Sequence, residues 1–468
     1  MKCKKYMIPL ILSSALVMSV TAGCGKPQTP AASSEQQTQK EQQTQKEEQV
    51  QTEQQKKSSE APVEKVKIKM ISSTEFEVNE FANLEETFAK FSDIAPNVEI
   101  EGEYIPWTEL DNKLFLTNAG GDYYDVILVN NSTLPALVEA GILADMKEFT
   151  KKDNFDVDQV FTPAMADLCK YKEGIYAFPF QTDTRVLAVN TKMLEEAGME
   201  LPKTKEDMLE IAKAVTKDTN GDGTPDQFGY SMNISRTLPC VYIQGNWLIA
   251  NGLHLYEVED DGQYVCRLNS EAGIDFFKWA TEMAKYMPND MISYDNAMID
   301  NAFASGKFAM YTYGAWMTAR EDFIKTVEET GTEYQLILNP EGLEGTASTS
   351  GGWMLGVSPK SQNKEAAWEF IKFIVNPEVN ASICSGLPPV QDAYNYPPFN
   401  TEEYGILKEQ LQTSQTAVKN FIPEFNELVD IYGNNFIASV LGEKSPEQAA
   451  KEAEDGVNAL LKEKGYQK

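Results

Sequence analysis

The sequence predicts an α/β fold built as two domains. Strand-like alternation and helix-like periodicity take turns along the chain, the pattern of helices packed on a largely parallel sheet. After a polar N-terminal segment roughly 405 residues remain, more than one core organises and enough for two domains of about 100–200 residues each. No long apolar run appears beyond the first residues, so this body reads as globular and water-exposed.

The N-terminus stands outside that fold. Lys2, Lys4 and Lys5 precede a weakly polar to apolar run from Met7 to Val20, then Thr21-Ala22-Gly23 and Cys24. The run is shorter than the about 20 apolar residues of a spanning helix, so residues 1–23 read as a secretory signal peptide. Small residues before Cys24 resemble the bacterial lipobox, with Thr21 where Leu is usual; the resemblance implies a diacylglyceryl group on Cys24. An ordinary cleaved signal with an incidental cysteine is the other reading. Residues 24–62, with the echo Gln-Gln-Thr-Gln-Lys and almost no apolar side chain, cannot bury enough surface to offset chain entropy and read as a tether.

The body opens on strands. Val66, Ile68 and Met70 alternate with Lys67 and Lys69; Val98, Ile100 and Tyr104 alternate with Glu99, Glu101 and Glu103; a helix lies between them, and residues 125–129 form a buried strand. Thr204, with Asp207 three residues on, caps a helix whose apolar stripe is Met208, Ile211, Ala212 and Val215. Ala367, Phe370, Ile371 and Ile374 repeat the spacing on a helix that makes Trp368 a core residue. Ser445, Pro446 and Gln448 open a last helix with Ala453, Val457, Leu460 and Leu461 inside.

Composition narrows the function. The net charge of -30 repels phosphate backbones and anionic bilayers, which argues against nucleic acid as a partner and favours neutral or cationic ligands. The single histidine, His254, has no second histidine to act with, which removes His-dependent triads and most zinc sites and leaves it a structural residue. No Gly-x-Ser-x-Gly elbow, phosphate loop or Cys-x-x-Cys pair is present. Cys169, Cys240, Cys266 and Cys384 suffice for one or two disulfides outside the cell, with no pairing fixed by sequence.

Three segments carry a family resemblance in order: GIYAFPFQTDTRVLAVNTKMLEEAGMELPKTKEDMLEIAKAVT, AFASGKFAMYTYGAWM and GGWMLGVSPKSQNKEAAWEFIKFI, followed by GLPPVQDAY at 386–394. Together they resemble the extracellular solute-binding proteins of carbohydrate ABC importers, the family of maltose-binding protein. The resemblance implies a two-lobed periplasmic-binding-protein-like fold with a hinge and an interlobe ligand cleft. By motif, one lobe is 63–182 plus 357–398 and the other 187–353 plus 399–468, with crossovers near Thr182–Leu187 and Gly351–Gly356. It further implies capture of an oligosaccharide by a monomer, with delivery to ABC permease subunits that work with a separate ATPase, and a membrane link through the lipid alone. No catalysis and no cofactor are required.

Pyranose rings need flat apolar plates and their hydroxyls need planar polar groups. The aromatic candidates are Trp107, Trp247, Trp316 and Trp353, with Tyr313 beside Trp316; the resemblance places Trp316 and Trp353 at the family's platforms. Asp183, at the first crossover, sits where the family often accepts hydroxyl hydrogen bonds, with a cap or hinge bond as the alternative; Arg185 either pairs with it or donates to sugar. Asn130 and Asn131 follow the strand at 125–129, and Glu75 follows the first strand, positions where open sheets bind ligands. In the stretch from Asp218 to Gly229, Asp218, Asn220, Asp222, the Thr224 carbonyl and Asp226 fall at calcium-loop spacing, without the closing Glu; a structural Ca2+ site and a solvated turn are both open. Rival classes are a secreted glycoside hydrolase, with two opposed carboxylates, and a sugar-sensing or adhesion lipoprotein.

Overall fold

The computed structural model describes residues 65–76, 84–234, 238–401 and 404–468, without the side chains of 84–85 and 238–240. The expected signal peptide, Cys24, the tether and the Cys240 side chain lie outside the described residues. The body has two principal sheets. The first contains β1 (Val66–Ser73), β2 (Val98–Ile105), β3 (Val126–Asn130), β4 (Ala177–Thr182) and β9 (Gly352–Val357), in the order β2-β1-β3-β9-β4. The second contains β5 (Arg185–Asn190), β6 (Phe228–Ser231), β7 (Phe308–Gly314) and β8 (Tyr334–Ile337), in the order β8-β5-β7-β6.

The expectation of a largely parallel sheet is corrected. β1 runs parallel to β2 and β3, and β6 parallel to β7, but β9 is antiparallel to β3 and β4, and β5 antiparallel to β7 and β8. The cause is connectivity. Asp183 and Thr184 alone join β4 to β5, and the chain returns to the first sheet as β9, so these strands enter between or beside parallel neighbours from the opposite direction. Gly352 onward is already strand of the first sheet, so the second exchange of chain between sheets precedes it.

The local signals act as the residues dictate. Thr204 and Asp207 form a complete capping box, and the Ser445 hydroxyl accepts from Gln448 N at 3.2 Å. Burial of β1 alternates only to Met70; from there to Ser73 every residue is buried, because the strand has β2 and β3 on its edges and helices over its faces. Phe88 and Phe91 pack edge-on against Phe370, at 5.6 and 5.3 Å between centroids. Around the second sheet, helix Glu271–Ala284 meets helix Phe425–Val440 through Phe276 stacked on Phe436 at 5.7 Å.

Cys169, Cys266 and Cys384 are free and buried, which removes them from the expected disulfides. Burial raises all three thiols above their ordinary pKa, Cys266 to about 12, so they stay protonated and inert. His254 donates or accepts through Nδ1 at 2.7 Å from Glu257 and is 9% exposed, a packed residue.

Candidate functional site

Topology brings the functional side chains to one place. At one edge of the first sheet lie the ends of β1, β2, β3 and β4 and the start of antiparallel β9. That edge therefore carries Glu75 and Phe76 after β1, Trp107 after β2, Asn130 to Thr133 at the end of β3, Asp183 after β4, and Gly351 to Trp353 leading β9. In the second sheet Arg185 opens β5 opposite Gly314 at the end of β7, and Trp316 follows on the short 3-10 turn Ala315–Ala319. The chain exchanges between sheets at Asp183–Thr184 and before Gly352, so these two edges are joined covalently twice.

The junction is knitted by hydrogen bonds. The Thr182 hydroxyl donates to Gly351 O at 2.8 Å, Gly351 N donates to Asp183 Oδ1 at 2.7 Å, and Thr182 exchanges backbone bonds with Leu387 at 2.8 and 2.9 Å. Asp183 also takes both terminal nitrogens of Arg185, at 2.9 and 3.2 Å. The two are 16% and 7% exposed, so the pair is nearly closed to water and cancels its own charge. Of the two roles open to Arg185 in sequence, pairing with Asp183 is the one observed.

Around that pair stand the aromatics. The Arg185 guanidinium lies 5.2 Å from the Tyr242 ring and 5.1 Å from the Trp316 ring, a cation between two π-faces. Trp316 folds back over Gly314, where a Cβ would stand 2.2 Å from the indole, so glycine there is a packing requirement. On the first sheet, Trp353 stands edge-on to Phe76 at 5.6 Å and to Trp107 at 6.1 Å, and both tryptophans are part exposed.

Planar polar groups complete the cluster. Asn130 Oδ1 accepts from Ser132 N at 3.0 Å and its hydroxyl at 2.6 Å, and Asn131 Oδ1 accepts from Gly352 N at 3.0 Å. Glu75 sits in the turn Thr74–Phe76, part exposed, and accepts from the Ser73 hydroxyl. On helix Trp107–Ala119, Asp111 is one turn after Trp107; burial raises its carboxyl to about 6 against a hydrogen bond from Thr133.

Two candidates are corrected. Trp247 is 1% exposed and packs on Trp279 at 4.8 Å between centroids, so its large face is spent on the core. Tyr313 is 3% exposed among Phe323, Tyr334 and Tyr311, because every residue of β7 is buried. Sequence reasoning missed Tyr242 and Asn246, one turn apart on helix Leu238–Ala250. Asn246 Oδ1 accepts from Thr349 N at 2.6 Å. Their signal was an amide and a phenol at helical spacing in a helix whose other polar side chain is Gln244.

The crossover glycines act by size. Neither Gly351 nor Gly352 has a positive φ. A Cβ on Gly351 would sit 3.3 Å from both Asn131 Oδ1 and the Tyr242 ring, and one on Gly352 would sit 3.3 Å from Gln181 O.

The loop from Asp218 is exposed and folded by its own amides. Asp218 accepts from Gly221 N at 2.6 Å and Gly223 N at 2.7 Å, which holds its carboxyl below the ordinary range; Asn220 accepts from Asp222 N and Asp222 from Thr224 N. Gly221 and Gly223 take φ of 81° and 92° to allow this. Asp226 turns away to Thr219, whose amide and hydroxyl it accepts at 2.8 Å. Among the described residues no three His, Cys, Asp or Glu side chains converge on a metal position. The oxygen donors that suit Ca2+ are Asp218, Asn220, Asp222 and the Thr224 carbonyl.

Comparison with known proteins identifies this arrangement. The family profile described as "Bacterial extracellular solute-binding protein" matches residues 77–381. The chain belongs to that family. Among curated relatives of this solute-binding protein, the maltotriose-binding protein of Pyrococcus abyssi is 24% identical over 69% of the chain and 67% of the relative. The diacetylchitobiose binding protein DasA of Streptomyces coelicolor is 23% identical over 80% and 85%. Similar solved folds include a solute-binding protein of an ABC transporter from Thermotoga lettingae bound with alpha-D-tagatose, at TM-score 0.73 and 24% identity, covering 85% of this chain and all of that one. Another is the GacH receptor of Streptomyces glaucescens, solved unliganded and with acarbose, at TM-score 0.71 and 23% identity, covering 85% and 99%. The fold is thus the two-lobed α/β fold of this family, whose members are binding proteins and not enzymes. Among the described residues no helix is long and apolar enough to cross a membrane.

Proposed function

We propose that this solute-binding protein captures an oligosaccharide between its lobes and delivers it to the permease of an ABC importer. The observation that carries the reading is the juxtaposition of part-exposed tryptophans, Trp107 and Trp353 on the first sheet and Trp316 on the second, with the part-exposed amide of Asn130. Indoles supply plates for pyranose C–H faces and amides answer hydroxyls. The neutralised Asp183–Arg185 pair leaves a site without net charge at its centre, which suits a neutral saccharide. The relatives that bind maltotriose and diacetylchitobiose support a short oligosaccharide.

Three further parts belong to the reading. Cys24 carries lipid and the polar residues 24–62 tether a monomeric body to the outer face of the membrane, with a separate ATPase driving import. One lobe is 63–182 plus 357–398 and the other 187–353 plus 399–468, except Gly352 and Trp353, which pair with strands of the first sheet. The Asp218 loop takes a structural Ca2+. Isothermal titration with maltotriose, diacetylchitobiose and related sugars tests the ligand class: saturable binding with the sugar recovered intact supports it, and cleaved sugar or no binding across the panel overturns it.

A further inference from the structure

Tyr242 belongs to a helix fixed to the second sheet's side of the molecule. Its neighbour Gln244 accepts from the Tyr432 hydroxyl at 2.6 Å, and Trp247 packs on Trp279. Yet the Tyr242 hydroxyl reaches the first sheet, where it lies 3.4 Å from both Asn130 Oδ1 and Asn131 Oδ1, at the end of β3. The helix is held in that position at close range. Asn246 Oδ1 accepts from Thr349 N, the Thr349 hydroxyl donates to Tyr242 O, and Gly245 has no Cβ because one would stand 2.5 Å from Thr349 Cγ2. Gly351 sits in the gap between Tyr242 and Asn131.

The same region also carries unmade bonds. Among the described residues, the buried donors Arg185 Nε, Asn131 Nδ2 and Asn246 Nδ2 meet no protein acceptor. Each flanks the segment Thr349–Gly352, through Arg185 NH1 on Thr349 O, Asn131 Oδ1 on Gly352 N and Asn246 Oδ1 on Thr349 N. Orphaned buried donors are costly, and opening the junction to water would satisfy them. A favourable contact across the junction and a cost relieved by parting it are the ingredients of two nearly balanced arrangements.

We propose that Tyr242 is a latch made by protein groups alone, its hydroxyl occupying the amide cradle of Asn130 and Asn131 and holding the two sheet edges together. The latch involves no bound group, so its test uses no ligand and its outcome is separate from that of the sugar reading.

The test is hydrogen exchange of the full chain without sugar, comparing wild type with Tyr242→Phe, which keeps the ring on Arg185 and removes only the hydroxyl. Exchange in peptides covering 129–133 and 349–353 should quicken about twofold, the low end of a hydrogen bond's net worth at this 3.4 Å length, while 186–190 and 308–313 keep their protection. Asn130→Ala removes one wall of the cradle from the opposite side and should quicken 349–353, the peptide that does not contain the Ser132 amide Asn130 itself caps. Unchanged exchange at 349–353 in both variants would overturn the latch. So would uniform quickening across both sheets, which would make Tyr242 an ordinary packing residue.

Discussion

Two tryptophans that look alike in sequence should fail in opposite ways when removed. Trp247 is 1% exposed and packed on Trp279, so Trp247→Ala leaves a cavity and costs about 3–5 kcal/mol of folding stability. Trp353 is part exposed, with edge contacts to Phe76 and Trp107. Each such pair contributes about 0.5–1.5 kcal/mol, so Trp353→Ala costs about 1–3 kcal/mol of stability. Its larger effect falls on sugar binding: loss of a plate worth about 1–3 kcal/mol raises Kd by about 5- to 150-fold. Urea denaturation gives the first quantity and isothermal titration of the folded variant gives the second. Trp247→Ala should bind sugar with unchanged Kd. Unchanged affinity in Trp353→Ala, or weakened affinity in a folded Trp247→Ala, would refute the assignment of plate and core.

Other perturbations follow from the same geometry. Asp183→Asn leaves Arg185 buried without a counter-charge and should cost about 3–5 kcal/mol by urea denaturation. Asp111 has a folded pKa of about 6 against an ordinary 3.8, so the folded state favours its protonated form; that stabilisation is full below pH 3.8 and is lost as pH rises through 6. The difference is worth about 3 kcal/mol, and Asp111→Asn should flatten the fall in stability between pH 4 and 6, measured by denaturation across that range. For the Asp218 loop, EDTA should lower the melting temperature and Ca2+ restore it, and Asp218→Ala should remove the response; a chelator without effect makes the loop a solvated turn.

Much of this site was legible because capping, periodicity and strand ends are local. Thr204 with Asp207 and Ser445 with Gln448 announce their helices, and the end of β3 announces Asn130 and Asn131, since side chains at a strand terminus point to the sheet's rim. What sequence hid is set by distant partners. β9 joins β3 and β4 from more than 150 residues away along the chain, by comparison of Gly352 with Thr182, and turns the first sheet mixed. Tyr313 was misplaced because β7 is buried on both faces, so alternation carries no information there. Tyr242 was missed because a phenol in an apolar helix reads as core until the opposite sheet supplies its partners.

The most direct test of the central claim is a calorimetric titration of the protein with a panel of short neutral oligosaccharides, followed by chromatography of the sugar. Binding as a solute carrier predicts saturable one-to-one association with at least one of them and quantitative recovery of the unaltered sugar. Hydrolysis products, or a panel without any saturable binder, would contradict it.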